Sequence, residues 1–568
     1  KLRLQDLLAG RLPIEPEPRR QLAAELNRLA GRLRRDAATL ARLDRLEQAW
    51  GRLDAAAADG DGGWWHELRH GWLAWRLRRQ PPWWRVFGRY RDRLERYHET
   101  VACHLRAAVA ERLEEALRGH RQAFSGFLAA LRARRSAEQG QAFASFDFEA
   151  VLAAFPLMLT TFADAHRALP FSPGLFDLVM IDEATQCDMA SALPVLERGR
   201  RALVTGDPRQ LRHVSFLADR RQAALRRRHG VEDAEAGLDY RRRSLLDLAL
   251  DRATSGDQVA WLDEHFRSAP AIIGFSNRTF YDASLRVMTR RPEEVRRRAL
   301  EVIQVDGRRD GEGVNATEAA ALVERLMARV AAEAELPAGR CSSLGVLSPF
   351  RAQVDHLSAL VSERLSLPEI DRHRLRVGTP YGFQGDERDV MYLSLALAPD
   401  DHAAARRYLE RPDVFNVALT RARGEQVVFT SVSAKELAGE GLLRRFLDEA
   451  AHREPLGGGD QRDPFLRQVA EALSGRGFAV HAAYPIAGME IDLLAERDGR
   501  SLGIDLVGHP GRFAPAFDLD RCQVLIRAGL AMFPLPWSAW RRDREGCLEA
   551  VEQAFLRSTT DDRPANVE

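Results

Sequence analysis

Asp182 and Glu183 are the residues best suited to chemistry. They end an apolar run in FDLVMIDEATQCDMASALP, residues 176–194. In a parallel sheet, ligands gather at the carboxyl ends of strands. An acid there can hold Mg²⁺ through its water shell, because that ion keeps hard oxygen ligands and several waters. The neighbouring acid can polarise a water for attack on phosphorus. An adjacent acid pair alone is a common surface feature, so the next strand matters. RALVTGDPRQLRHV sets Gly206, Asp207 and Gln210 at a second strand end, in a tight polar turn fit to sense a terminal phosphate. Arg267 follows an aromatic in WLDEHFRSAP, and Arg421 and Arg423 stand in VALTRARGEQVVF. Arginine suits bidentate contact with a transferring phosphoryl group. Two separated arginine positions facing two carboxylates across a cleft would form a nucleoside triphosphatase site at a domain interface.

A second pair lies near the C-terminus. Asp492 follows Ile491 on one expected strand, and Asp505 lies on the next. Paired carboxylates on adjacent strands can bind Mg²⁺ for phosphodiester hydrolysis.

These groups need a scaffold, and the chain is long enough to supply several. Its 568 residues exceed one hydrophobic core and predict three or four domains. At 45% hydrophobic residues it has a globular composition. No apolar run is long enough to cross a bilayer. The formal charge is +2, so global charge says little about nucleic acid. The five cysteines show no metal or redox spacing, which predicts no zinc or iron–sulfur site and a reducing, cytoplasmic setting.

Residues 1–150 read as helical, with leucine and alanine on a repeating face, and suit a helical insertion or stalk. Within them, GGWWHELRHGWLAWRLRRQPPWWRVFGRY carries six tryptophans among arginines: Trp64, Trp65, Trp72, Trp75, Trp83 and Trp84. Either they stack on single-stranded bases with arginines on phosphate, or they pack between helices with arginines reaching outward. Residues 151–243 alternate short apolar strands (PLMLTT, LFDLVMIDEA, RALVTGDP) with helices, and alternation resumes over 244–450. A glycine-rich hinge at Pro455–Asp460 precedes a compact unit over 460–560.

At this point a family resemblance becomes specific. Residues 151–435 resemble a superfamily 1 helicase of the DNA2/NAM7 group. Phe155–Thr161 resembles the strand whose end touches nucleic acid, and Asp182-Glu183-Ala184-Thr185-Gln186 resembles the Walker B motif. Gly206-Asp207-Pro208-Arg209-Gln210-Leu211 resembles motif III, and Glu264-His265-Phe266-Arg267 resembles the motif that supplies an arginine finger. Gly345–Gln353 resembles the opening of the second RecA-like core. Gly378–Glu387 resembles motif V, and Asn416–Arg423 resembles motif VI. The resemblance implies an α/β fold with two RecA-like domains, ATP and Mg²⁺ as cofactors, and single-stranded or junction DNA as partner, with RNA as the lesser expectation. It implies that Asp182 holds Mg²⁺, Glu183 activates water, Gln210 senses phosphate, and Arg267 and Arg421 stabilise developing charge. Gly206, Asp207, Gly385, Glu387 and Arg423 would line the nucleotide. Thr160, Thr161, Thr379 and Tyr381 would lie near the strand. The helical region is open to a protein partner. Repair and anti-phage defence are both compatible.

One part is missing. A phosphate-binding loop needs GxxxxGK[ST]. The sequence holds two lysines, Lys1 and Lys435, and neither follows such a loop. Three explanations compete: a sequence shorter than its gene, with the loop upstream and the first RecA-like domain incomplete; a loop supplied by another polypeptide; or a silent ATPase.

The unit over 460–560 resembles the DUF559 or Vsr-like branch of PD-(D/E)xK nucleases, a restriction-endonuclease-like α/β domain. Asp492 and Asp505 fall on its metal-binding positions. Two departures weaken cleavage: Leu466 stands where the first helix offers an acid, and Val507 stands where Asp or Lys is usual. His509 either compensates or is an ordinary core or turn histidine. A fold kept for DNA docking is the reading these departures favour, ahead of an active endonuclease.

Overall fold

The computed structural model describes residues 19–58, 63–133, 135–230, 239–399, 401, 403–437, 439, 441–450, 463–508 and 517–557. His509 and the hinge at Pro455–Asp460 lie outside them.

Three helices form an arm: Arg19–Ala58, Trp64–Arg78 and Trp83–Gly119. Its proximal end packs Leu113, Ala116, Phe124, Phe148 and Val151 into one core with Ala165 and Leu169. Its other end enters the C-terminal unit, where Leu40, Leu43, Trp83, Val86 and Phe87 share a core with Tyr484, Ile491, Leu494 and Leu525.

The first α/β unit carries two parallel strands, β1 (Val179–Ile181) and β2 (Ala202–Val204), paired Val179 to Ala202 and Ile181 to Val204. Both are short because polar turns follow at once. The expected strand PLMLTT does not form. Residues 155–161 run without strand pairing, and Leu157 and Leu159 are 74% and 93% exposed. Among the described residues β1 pairs only with β2, so the segment has no ladder to join. The helix Leu245–Arg252 packs Leu245 and Leu246 on Val179, Ile181 and Ala184. The core of this unit therefore extends past the boundary at 243.

A small parallel pair follows, β3 (Glu264–His265) with β4 (Arg286–Val287). The second α/β unit is a five-stranded parallel sheet in the order β5-β9-β8-β6-β7, from Leu300–Gln304, Leu344–Leu347, Arg376–Gly378, Arg388–Ser394 and Ala422–Thr430. Leu344, Val346, Val390, Met391, Tyr392, Leu393, Val427, Val428 and Phe429 are buried, the near-continuous apolar character of a sheet covered on both faces.

The C-terminal unit runs helix, three antiparallel strands, helix, strand. The helix Pro464–Ser474 leads to β10 (Ala479–Ile486), β11 (Met489–Arg497) and β12 (Arg500–Val507). The helix Leu519–Arg527 then crosses over to β13 (Ala531–Pro536), which runs parallel to β12. A helical crossover is the ordinary way to add a parallel strand.

Candidate nucleotide site and acid pair

The end of β1 is tied to the end of β2. The Thr205 amide donates to the Ile181 carbonyl at 2.8 Å, and the Ala184 amide donates to the Thr205 carbonyl at 2.9 Å. The Thr205 hydroxyl donates to Asp182 Oδ1 at 2.5 Å, and the Glu183 amide donates to the same oxygen at 2.9 Å. Asp182 is exposed and Glu183 half-buried. Glu183 sits at φ 51°, the left-handed region that costs a non-glycine residue about 1 kcal/mol. That backbone turn was not legible in the residue types. Hard carboxylate oxygens on a rigid strand end fit a hydrated divalent ion. Gly206 is required by close approach: a Cβ there would meet the Ala184 and Thr185 amides at 3.2 and 3.3 Å.

Asp207 organises the turn. It accepts from the Arg209 amide at 2.9 Å, from Gln210 Nε2 at 3.0 Å and from the Tyr281 hydroxyl at 2.6 Å. Burial, then the Asp207 charge, pushes the Tyr281 hydroxyl well above its ordinary range, so it stays protonated and donates. Asn416 Nδ2 donates to the Tyr281 hydroxyl at 2.9 Å and to the Arg209 carbonyl at 3.0 Å. Gln210 Oε1 accepts from Arg421 at 3.4 Å. Gln384 Nε2 donates to the Leu211 carbonyl at 3.2 Å, and Leu211 is buried against Val414 and Val417. The structure thus brings Gln210 and Arg421 together across the two α/β units.

Arg421 is only 2% exposed. Burial, then the Arg267 charge, lowers its guanidinium to about 10, with Glu183 and Glu387 acting the other way, so it remains cationic at neutral pH. Arg267 pairs with Glu387, which also holds Arg423 at 3.4 Å, and Arg423 reaches Asp389 at 3.1 Å. His265 is held neutral, near 4, by burial and then by Arg267, and it accepts from the Ser268 amide at 3.0 Å. Gly385 takes φ 74°, where only glycine is unstrained. Tyr281 and Asn416 as bridging groups were missed. Their signal was only a tyrosine after an apolar helix and the first residue of the NVALTRAR run.

The residues expected near nucleic acid divide. Thr160 and Thr161 are exposed, and Thr161 caps the helix Phe162–Ala168 through the Asp164 amide. Thr379 accepts from the Gly382 amide at 3.4 Å within a turn. Tyr381 is packed against Leu211, Val414 and Val417, with its hydroxyl accepting from Arg411 at 3.4 Å.

The C-terminal acids do meet. Asp492 accepts from the Leu506 amide at 2.8 Å. Burial, then the Asp505 charge, raises its carboxyl to about 7. Asp505 is buried and likewise raised by burial, and Arg521 bonds it directly. Arg521 also donates to the Glu490 carbonyl at 2.5 Å. Its guanidinium therefore supplies a positive charge beside Asp505. Val507 is buried and offers no ligand. A third acid was overlooked: Asp463 caps the helix Pro464–Ser474 and is near enough to raise Asp492.

Two parallel-strand units with acids on one and arginines on the other define the AAA/RecA-type class. Family models described as AAA domain match residues 89–216 and 242–433. The chain is superfamily-1-like and related to DNA2/NAM7-like helicases. It is similar to a putative helicase MOV-10 of Gallus gallus, 26% identical over 53% of this chain and 35% of that protein. It is similar to the uncharacterized ATP-dependent helicase MG140 of Mycoplasma genitalium, 27% identical over 51% of this chain and 26% of that protein. A DNA polymerase alpha-associated DNA helicase A of Saccharomyces cerevisiae is 35% identical over 18% of this chain and 14% of that protein. The chain spans about a third or less of the curated relatives it matches. Among the described residues no helix is long and apolar enough to cross a membrane.

Proposed function

We propose that this chain works as part of an ATP-dependent DNA helicase or translocase. The observation that carries the reading is the bonded bridge from Asp207 and Gln210 to Tyr281, Asn416 and Arg421 between the two α/β units. Such a bridge lets a change at one phosphate-sensing turn move both units, which is what a motor requires. In this reading Asp182 holds the metal, Glu183 orients and deprotonates water, and Gln210 reads the terminal phosphate. Arg267 leaves Glu387 to join Arg421 in stabilising charge on the transferring group. Bound Mg²⁺ would neutralise the phosphates. Single-stranded DNA crosses Thr160, Thr161 and Thr379, with RNA as a lesser alternative.

The strand order of the C-terminal unit, with Asp492 and Asp505 on adjacent strands, supports a PD-(D/E)xK-like fold. Arg521 against Asp505 favours docking of DNA over its cleavage.

The test is the intact mass of the native gene product, followed by ATPase assay with and without oligo-dT. A longer product with DNA-stimulated hydrolysis, lost on Glu183→Gln, supports the reading. A product of 63.8 kDa with no hydrolysis in the presence of DNA overturns the motor.

A further inference from the structure

The tryptophan-rich segment resolves into two populations. Trp83 is buried and Trp84 partly buried against the C-terminal unit, with Trp83 edge-on to Phe517 at 5.4 Å and Trp84 stacked on Phe533 at 5.4 Å. The other four lie on the helix Trp64–Arg78 and face out. Trp64, Trp65, Trp72 and Trp75 are 61%, 65%, 52% and 49% exposed, and Leu68 is 55% exposed. Positions 64, 68, 72, 75 and 79 follow steps of four, four, three and four, a single stripe along the helix. The opposite stripe, His66, His70, Leu73 and Leu77, is the one that packs. Leu73 and Leu77 meet Leu46 and Trp50, His70 stacks on Trp50 at 5.0 Å, and His66 Nε2 bonds the Leu53 carbonyl at 2.7 Å. The inner face fully accounts for how this helix is held, so the outer tryptophans are not needed for packing.

Their setting is cationic. Between residues 63 and 80 there are four arginines, Arg69, Arg76, Arg78 and Arg79, and one acid, Glu67. Two guanidiniums already lie over ring faces: Arg76 over Trp72 at 4.6 Å and Arg79 over Trp75 at 4.0 Å. Base–aromatic stacking is worth about 1–3 kcal/mol per base and tolerates any sequence. Guanidiniums beside the rings can take the intervening phosphates.

We propose that the outer face of the Trp64–Arg78 helix binds single-stranded nucleic acid, as a second contact beyond the motor core. Trp64 to Trp75 spans about 16 Å at 1.5 Å per residue, enough for a few unstacked bases. Charge complementarity selects this occupant. A helix lying on a membrane separates its arginines to the face opposite its tryptophans, whereas here they interleave on one face and the opposite face is occupied. The proposal deepens the nucleic-acid reading above but rests on different residues.

The experiment is fluorescence anisotropy of a short fluorescein-labelled oligo-dT titrated with the full chain, across a salt series. The variant Trp65→Ala/Trp72→Ala/Trp75→Ala should bind at least about 10-fold more weakly, with unchanged far-ultraviolet circular dichroism. The variant Arg69→Glu/Arg79→Glu leaves every packed residue in place; it should weaken binding and flatten its salt dependence. Parental affinity in both variants overturns the proposal. So does intact oligo-dT binding with loss of adhesion to phosphatidylserine vesicles, or with loss of self-association. Failure of the motor reading would show differently, as absent nucleotide-dependent hydrolysis in a protein whose arm still binds oligo-dT.

Discussion

Arg421 concentrates the chemistry of the motor core in one side chain. It is buried yet cationic, bonded to Gln210, and near enough to feel Glu183. Keeping an unneutralised guanidinium there costs desolvation energy that packing alone does not repay. In a native product that carries the phosphate-binding loop, Arg421→Ala should lower kcat by about 10³-fold. Arg421→Lys should not restore it, because an ammonium lacks the planar fork. A phosphate-release assay reads both. Glu47 makes a second residue-scale case. It is buried in the Arg19–Ala58 helix and accepts from the Ser538 amide and hydroxyl, each at 2.6 Å. Burial raises its carboxyl from 4.5 to about 7, partly offset by those two bonds. The folded state therefore holds this proton more tightly than the unfolded chain. Stability is greatest below about pH 4.5 with respect to this group and declines as pH rises to 7, by up to about 3 kcal/mol. Glu318, raised to about 7 by burial, tilts the curve the same way. Glu47→Gln should flatten part of the decline, measured by urea denaturation at a series of pH values.

At the scale of elements, the arm is the least expected feature. Trp83, Val86 and Phe87 near the start of one helix share a core with Tyr484 and Ile491, some four hundred residues away. Trp83→Ala should cost about 3–5 kcal/mol of that docking. Hydrogen exchange would then rise in the Arg19–Ala58 and Trp83–Gly119 helices while the five-stranded sheet stays protected. The sequence told which segments are helices, because leucine periodicity is local. It could not tell what they pack against, because docking depends on surfaces far apart in the chain. The strand ends before Asp182 and Gly206 were legible, since an apolar run broken by acid or glycine is a local signal. Leu157 and Leu159 carried the same apolar signal without becoming a strand, because a strand needs a partner and they have none among the described residues. Arg521 was invisible for the opposite reason: nothing about an arginine on a helix announces that it will sit against Asp505.

At the scale of the whole molecule, four bodies are joined by contacts of unlike kind. The arm meets the C-terminal unit through a shared apolar core. That unit meets the second α/β unit and its flanking segment through ion pairs, Arg296 with Glu496 at 2.6 Å and Arg527 with Glu264 at 2.6 Å, and through Met288, which is buried in the core with Tyr484 and Ile486. The two α/β units meet through the hydrogen-bonded line Asp207–Tyr281–Asn416 and the small apolar contact of Leu211. Apolar docking is stiff, whereas a few directional bonds can exchange partners as a nucleotide comes and goes. Motion should therefore concentrate between the α/β units while the arm and C-terminal unit travel together. Tyr281→Phe tests this because it removes one hydroxyl and little else. Stability should fall by only about 1–2 kcal/mol, the worth of lost buried hydrogen bonds. Stimulation of ATP hydrolysis by oligo-dT should drop several-fold, with hydrolysis in the absence of DNA retained. Full stimulation in the variant would mean that the line only packs the interface, and that coupling runs instead through Gln210 and Arg421 alone.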